Sequence, residues 1–240
     1  MGNWDFSLSA SKLNIKKDCR RCFWLHMTKK IERPRGIYPS LPNGIDLKIK
    51  AYFDLYRGDM PPELRGQVPG VLWGTVAEIG KLRQWQSGMK PIIQTPHGSV
   101  SLIGAIDDLA VHDGLYASVD GKTKGSAAPA GYSQRYYQTN ADVYALMLRE
   151  TGRPPSKQSY FWYLNPDSIP YSNVIGQKVG LVDMRFENNV VSIDADPERA
   201  LAVICEATEL LATADKVKGP ESSRTCEYCN HHQALKAVGF

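Results

Sequence analysis

At 240 residues, 42% of them apolar and 22% charged, the chain can bury a sizeable core, and no run is apolar enough to cross a membrane. Its first residues lack the apolar stretch of a secretory signal, so a cytoplasmic location is expected, with cysteines reduced or metal-bound. The net charge of +4 is unevenly placed: residues 1–35 hold nine Lys/Arg against Asp5, Asp18 and Glu32, a pattern suited to phosphate contact or to a plain solvated helix face.

In chain order, Ser9 reads as the N-cap of a helix from Lys12 to Lys29, stopped by Pro34 and Gly36. A second helix is expected over Ile45–Tyr56, with Ile45, Ile49, Tyr52, Phe53 and Tyr56 on one stripe. A Gly/Pro-rich loop, 58–70, leads to a shorter helix near Thr75–Gln86. Strands follow over Ile92–Thr95, Val100–Val111 and Leu115–Lys122, then a small-residue loop from Gly125 to Gly131. A helix from Ser133 to Glu150 ends at Gly152 and Pro154, and Gln158–Leu164 alternates as an aromatic strand. Lys178–Phe186 and Asn189–Ile193 suggest a further hairpin turned at 187–189. Pro197 opens a helix reaching Lys216, and the tail is short and polar. Helices and strands alternating in this way give an α/β pattern, expected as one domain over 1–240 with its core at 90–165.

Asp113-Gly114 between apolar-rich runs specifies a two-residue type I′ hairpin, and that loop sets Asp107 opposite Asp120. Lys122 returns to the Asp120 face, while Asp108 projects to the other. Two carboxylates can chelate Mg²⁺ or Mn²⁺, which prefer oxygen ligands, and an amine beside them can orient water or stabilise charge on a phosphate. Asp-x-Lys alone is common, and two surface carboxylates on an ordinary hairpin is the plain alternative. Of five cysteines, four form C-x-x-C pairs, Cys19/Cys22 and Cys226/Cys229, a spacing that lets both sulfurs of a pair reach one ion. Cys205 reads as core.

Gly104-x-x-Asp107 followed by Asp120-x-Lys122-Thr123 resembles the signature of the PD-(D/E)XK nucleases, and the Lys-Thr ending is similar to their RecB-like branch. In that branch the next helix carries Gln-x-x-x-Tyr; here Asn140 and Tyr144 hold those places, with Gln138 as an alternative amide. The resemblance implies a restriction-endonuclease-like core, a central mixed sheet flanked by helices. It also implies metal ligands at Asp107, Asp120 and the Gly121 carbonyl, with Asp46 or Glu78 as a further acid (Asp46 preferred, since Ile45 anchors its helix). Catalytic roles then fall to Asp107, Asp120, Lys122, Asn140 and Tyr144.

Leu8–Leu13 followed by Cys19–Leu25 resembles the opening helix of the iron–sulfur subgroup, which includes AddB-type subunits and CRISPR-associated exonucleases. There, one N-terminal and three C-terminal cysteines hold a 4Fe–4S cluster. Here Leu235 stands near the place of the third C-terminal cysteine, so Cys22, His231 or His232 would complete the set. Two plus two also suits tetrahedral Zn²⁺. In either case the centre staples 1–36 to 217–240. The implied substrate is DNA, single-stranded or with free ends, cut exonucleolytically in repair or CRISPR adaptation, with Lys16, Lys17, Arg20 and Arg21 contacting it; Phe23 and Trp24 among them could stack on bases but read more readily as core. A catalytically weakened nucleic-acid-binding module is the alternative.

Overall fold

The computed structural model describes residues 6–34, 36, 40–75, 77–166 and 185–237. Two sheets organise them. The larger runs in the order β2 (Val71–Leu72), β5 (Asp108–His112), β6 (Leu115–Thr123), β7 (Gln158–Pro166), β8 (Phe186–Asp194); the smaller sets β4 (Gly98–Leu102) between β1 (Phe6–Leu8) and β3 (Ile92–Thr95). Pairing is antiparallel except at β6–β7 and β1–β4. A parallel pair needs a crossover, and α5 (Tyr132–Glu150) supplies it between β6 and β7. The result is the expected mixed α/β layout of a restriction-endonuclease-like core.

The hairpin is the one its turn specifies. Asp113 and Gly114 take φ of 49° and 76°, as a type I′ turn requires, and the ladder runs from His112↔Leu115 to Asp108↔Val119. Strand alternation then divides the sheet's faces. Val119, Tyr160 and Trp162 pack with Ile49 and Phe53 of α3 (Ser40–Asp54), while Phe161 and Tyr163 pack with Ala141 and Ala145 of α5. Gly121 lies on the α3 face, where a Cβ would stand only 3.0 Å from Ile49 Cδ1; its missing side chain lets α3 lie close on β6. A larger core joins α5, α6 (Pro197–Thr213) and the small sheet through Leu102, Ile106, Leu146 and Ile204.

Several expectations need correction. The first helix is broken: α1 (Ala10–Asp18) and α2 (Arg20–Trp24) flank an extended Cys19, and a π-helical turn, Leu25–Lys29, follows. Ser9 does cap α1, accepting from the Lys12 N–H at 3.3 Å. The Val100–Val111 run is two strands in different sheets, because the chain crosses between sheets over 103–107. The region 187–189 lies inside β8, which pairs with β7 rather than turning there; residues 178–184 fall outside those described. α3 begins at Ser40, ahead of Ile45, and α4 (Ile79–Ser87) begins later than Thr75, just after the Glu78 N–H bonds to the Thr75 carbonyl. The polar tail contains a helix, α7 (Glu227–Ala237). Phe23 and Trp24, by contrast, are the core residues that the sequence favours, 0% and 3% exposed, so neither is free to stack on a base.

Candidate active site

Asp120 lies in the middle of the large sheet with its side chain toward α5, nearly sealed from solvent. Asp107, one residue before β5, brings its carboxyl within hydrogen-bonding reach of Asp120. Burial pushes the Asp120 carboxyl up to about 7; Lys122 opposes the change and Asp107 adds to it. Lys122 contacts Asp120 directly. Burial alone would lower the Lys122 ammonium, but the charges of Asp120 and Asp107 outweigh it and the net shift is upward, so the lysine stays a cation. Two carboxylates pressed together in a half-closed site suit a hard divalent cation, whose ligands are oxygens.

The neighbouring acids separate clearly. Lys50 on α3 lies 2.7 Å from Asp46 and 3.2 Å from Asp107, so a single ammonium links those two carboxylates. Burial lowers the Lys50 ammonium, and the two aspartates more than reverse it. Glu78 instead accepts from Thr75 N and Oγ1 at 3.0 and 3.2 Å, closing the turn before α4 in an exposed position. Asp46 and Asp107 are thus linked through Lys50, while Glu78 is engaged locally with Thr75.

On the site-facing stripe of α5, burial and the charges of Asp120 and Asp107 raise the Tyr144 hydroxyl, with the Asn140 amide opposing. The phenol therefore stays protonated beside the carboxylates. Tyr137 is a further residue of the site that the sequence reading overlooked. Lys122 Nζ stands 5.1 Å from its ring centroid, and the ring stacks on Phe161 at 5.2 Å. Burial pushes its hydroxyl up to about 12, against the pull of Lys122. The signal was available, since Tyr137, Asn140 and Tyr144 follow the i, i+3, i+7 spacing of one helix face. Gln138 is engaged elsewhere: its amide donates to Asp142 Oδ1 at 3.0 Å and to the Asp194 carbonyl at 2.6 Å, pinning β8 to α5.

Asp107 is also held from behind. Gln86 Nε2 donates to its carbonyl at 2.6 Å. Gln86 bonds Arg83, Arg83 contacts Asp54, and Asp54 binds Arg57, whose two terminal nitrogens grip Asp108 at 2.6 Å each. Arg57 and Asp108 are 2% and 0% exposed at their side chains. Gly104 lets this segment tuck under α5, since a Cβ there would meet Met147 Sδ at 2.7 Å.

A second cluster lies at the chain's two C-x-x-C pairs. The Sγ atoms of Cys19, Cys22, Cys226 and Cys229 all fall within 4.8 Å of one another, a set able to hold a metal. Cys22 completes the four; His231 and His232 are exposed on α7 and outside the set, and Cys205 is half-buried on α6. Of the basic residues of α1 and α2, Lys17, Arg20 and Arg21 are exposed, whereas Lys16 pairs with Glu206 at 2.6 Å. Lys16, Lys17 and Arg20 line a cleft of about 550 Å³ whose other wall carries Glu206 and Glu209, so its charge is mixed. No helix among the described residues is long and apolar enough to cross a membrane.

Asp107, Asp120 and Lys122 thus lie together beside α5. The chain belongs to the PD-(D/E)XK nuclease superfamily, whose family model matches residues 58–234, a span that takes in the aspartates, Lys122, α5 and the C-terminal cysteines. Membership makes the protein one of a nuclease class, with nucleic acid as its binding partner. Among solved structures, the crystal structure of SSO0001 aligns with 97% of this chain and 87% of that chain, at 11% identity and a TM-score of 0.43. No curated protein matches.

Proposed function

We propose that the chain is a Mg²⁺- or Mn²⁺-dependent deoxyribonuclease of the RecB-like branch, one domain that removes nucleotides from single-stranded DNA ends in the cytoplasm, in repair or CRISPR adaptation. The observation that carries this reading is the convergence of Asp107, from just before β5, with Asp120 and Lys122 on one face of β6. Bound by those two carboxylates and the Gly121 carbonyl, with Asp46 as a further acid, the divalent ion supplies Lewis-acid polarisation of the phosphate and acidified water.

The chain's own residues do the rest. Lys122, protonated and held against Asp120 and the Tyr137 ring, donates hydrogen bonds that position the attacking water and stabilise charge on the phosphate oxygens. Water oxygen forms the new bond to phosphorus as the P–O bond to the departing nucleotide breaks, one proton of that water passing to solvent and the leaving oxygen taking one up from solvent. Tyr144, neutral beside the carboxylates, fixes the face of α5 against them, with Asn140 one turn away. The network from Arg57 to Gln86 keeps the Asp107 backbone in place as charge changes around it. Both ends of the chain are held by the cysteine centre, a structural role.

A catalytically weakened binding module is the second reading, favoured by Asn140, whose amide is one methylene shorter than the branch's glutamine. End-labelled linear and circular single-stranded DNA, with Mn²⁺, Mg²⁺ or EDTA, tests both readings on the wild type beside Asp120→Ala. Metal-dependent ladders from linear DNA alone, lost in the variant, support the exonuclease; DNA retention without cutting supports the binding module.

A further inference from the structure

We infer that the cysteine quartet binds one tetrahedral Zn²⁺ ion rather than a four-iron cluster, with Arg33 as the neighbour that offsets its negative charge. The inference stands apart from the nuclease reading, since it rests on a different part of the molecule.

The sulfur spacing is the first argument. Zn–S bonds of about 2.3 Å in a tetrahedron place the sulfurs about 3.8 Å apart. Here Cys22 lies 3.5 Å from Cys226 and 3.6 Å from Cys229, and Cys19 lies 3.9 Å from Cys229. No pair among the four exceeds 4.8 Å. A 4Fe–4S cluster binds each thiolate to a different iron, so its sulfurs must stand apart by an iron–iron edge extended at both ends by an Fe–S bond, well beyond that limit. Fitting such a cluster would require both pairs to move outward from a buried position.

The two arms are also alike. Cys19 directly precedes α2 and Cys22 is its third residue; Cys226 directly precedes α7 and Cys229 is its third residue. Each arm thus offers one loop sulfur and one helix sulfur to a shared centre, which matches the two-plus-two division of a structural zinc site. The Ser223 N–H points at Cys19 Sγ from 3.4 Å, an N–H···S contact suited to a thiolate.

Charge is the third argument. Four thiolates around Zn²⁺ carry a net double negative charge, and a buried anion of that size needs a cation near it. Arg33 Nη2 stands 4.0 Å from Cys226 Sγ, while Nη1 is tied to Asp18 at 3.1 Å and the guanidinium covers the Tyr228 ring at 4.9 Å. Its Nε is buried with no hydrogen-bond partner, one of two such side-chain atoms among the described residues. A buried guanidinium with one nitrogen facing Cys226 Sγ and another left unpartnered is a physical sign of a negative charge that belongs there.

The test uses the full chain, expressed with iron and zinc both supplied and purified without oxygen. Zinc, iron and acid-labile sulfide are then measured per chain. One zinc with only traces of iron and sulfide is expected; iron with matching sulfide, or no metal at all, would overturn the assignment. Cobalt exchanged into the site should give the intense thiolate charge-transfer and tetrahedral bands of four-sulfur coordination, and a spectrum of fewer sulfurs would overturn it as well. For Arg33, competition with a chromogenic chelator should show zinc affinity reduced about 10- to 100-fold in Arg33→Ala and partly restored in Arg33→Lys. Unchanged affinity in Arg33→Ala would remove Arg33 from the site.

Discussion

Metal binding at the aspartate pair should expel a proton. Burial, reinforced by Asp107, moves the Asp120 carboxyl from its ordinary 3.8 to about 7. Ionising it in the metal-free fold therefore costs about 4 kcal/mol more than in the unfolded chain. Because the folded state keeps this proton where the unfolded chain has lost it, the metal-free protein loses stability as pH rises from about 4 through about 7. A divalent ion needs the carboxylate, so each ion bound should release about nine-tenths of a proton at pH 6, half at pH 7 and one-tenth at pH 8. Apparent Mn²⁺ affinity should climb about tenfold per pH unit below 7 and level off above it. Calorimetric titration of Mn²⁺ in two buffers of different protonation enthalpy, at pH 6 and pH 8, measures both quantities, with Asp120→Asn as the control that loses the proton release. Affinity that is flat from pH 6 to 8, or binding without proton release at pH 6, would refute the reasoning.

Lys122→Ala should slow single-turnover cleavage by about 10²- to 10³-fold while Mn²⁺ still binds, and a wild-type rate in this variant would exclude the lysine from the chemistry. Lys50→Ala removes the ammonium shared by Asp46 and Asp107, so Mn²⁺ should bind about fivefold tighter, the worth of one partly exposed ion pair. Weaker or unchanged binding in the same calorimetry would count against Asp46 as a metal ligand. Arg57→Ala leaves Asp108 buried without its partner and should cost about 3–5 kcal/mol in urea unfolding. A companion double variant, Arg57→Met with Asp108→Leu, should recover most of that loss; if it is no more stable than Arg57→Ala, the unpaired charge is not the cause.

The hairpin was legible because two local rules agree. An Asp-Gly loop fixes the register as far as Asp108↔Val119, and strict alternation then places Asp120 and Lys122 on one face, with Asp107 just beyond the end of the ladder. The same alternation sent Asp108 to the opposite face, which is where Arg57 grips it; what the sequence could not offer was the partner's identity, supplied from 51 residues away. Val100–Val111 read as one strand because its apolar pattern is continuous, whereas its division between two sheets depends on tertiary packing around Gly104 and Met147. α7 was invisible for a different reason. Its apolar face is weak, and its anchoring comes from Cys226 and Cys229 rather than from periodic leucines. That Glu78 folds back on Thr75 was likewise not legible in the sequence.

The meeting of Cys19 and Cys22 with Cys226 and Cys229 also has a consequence in time. As the chain is made from its N-terminus, the first pair must wait for more than 200 residues before the second pair exists. At about 5–20 residues per second that delay is roughly 10–40 seconds, long against the folding of any helix or hairpin between them. Throughout it, the thiols of Cys19 and Cys22 stand without their partners. The four-sulfur centre can close only after β5, β6, α5 and the paired aspartates have been synthesised, so its assembly records that everything between the two pairs has been made.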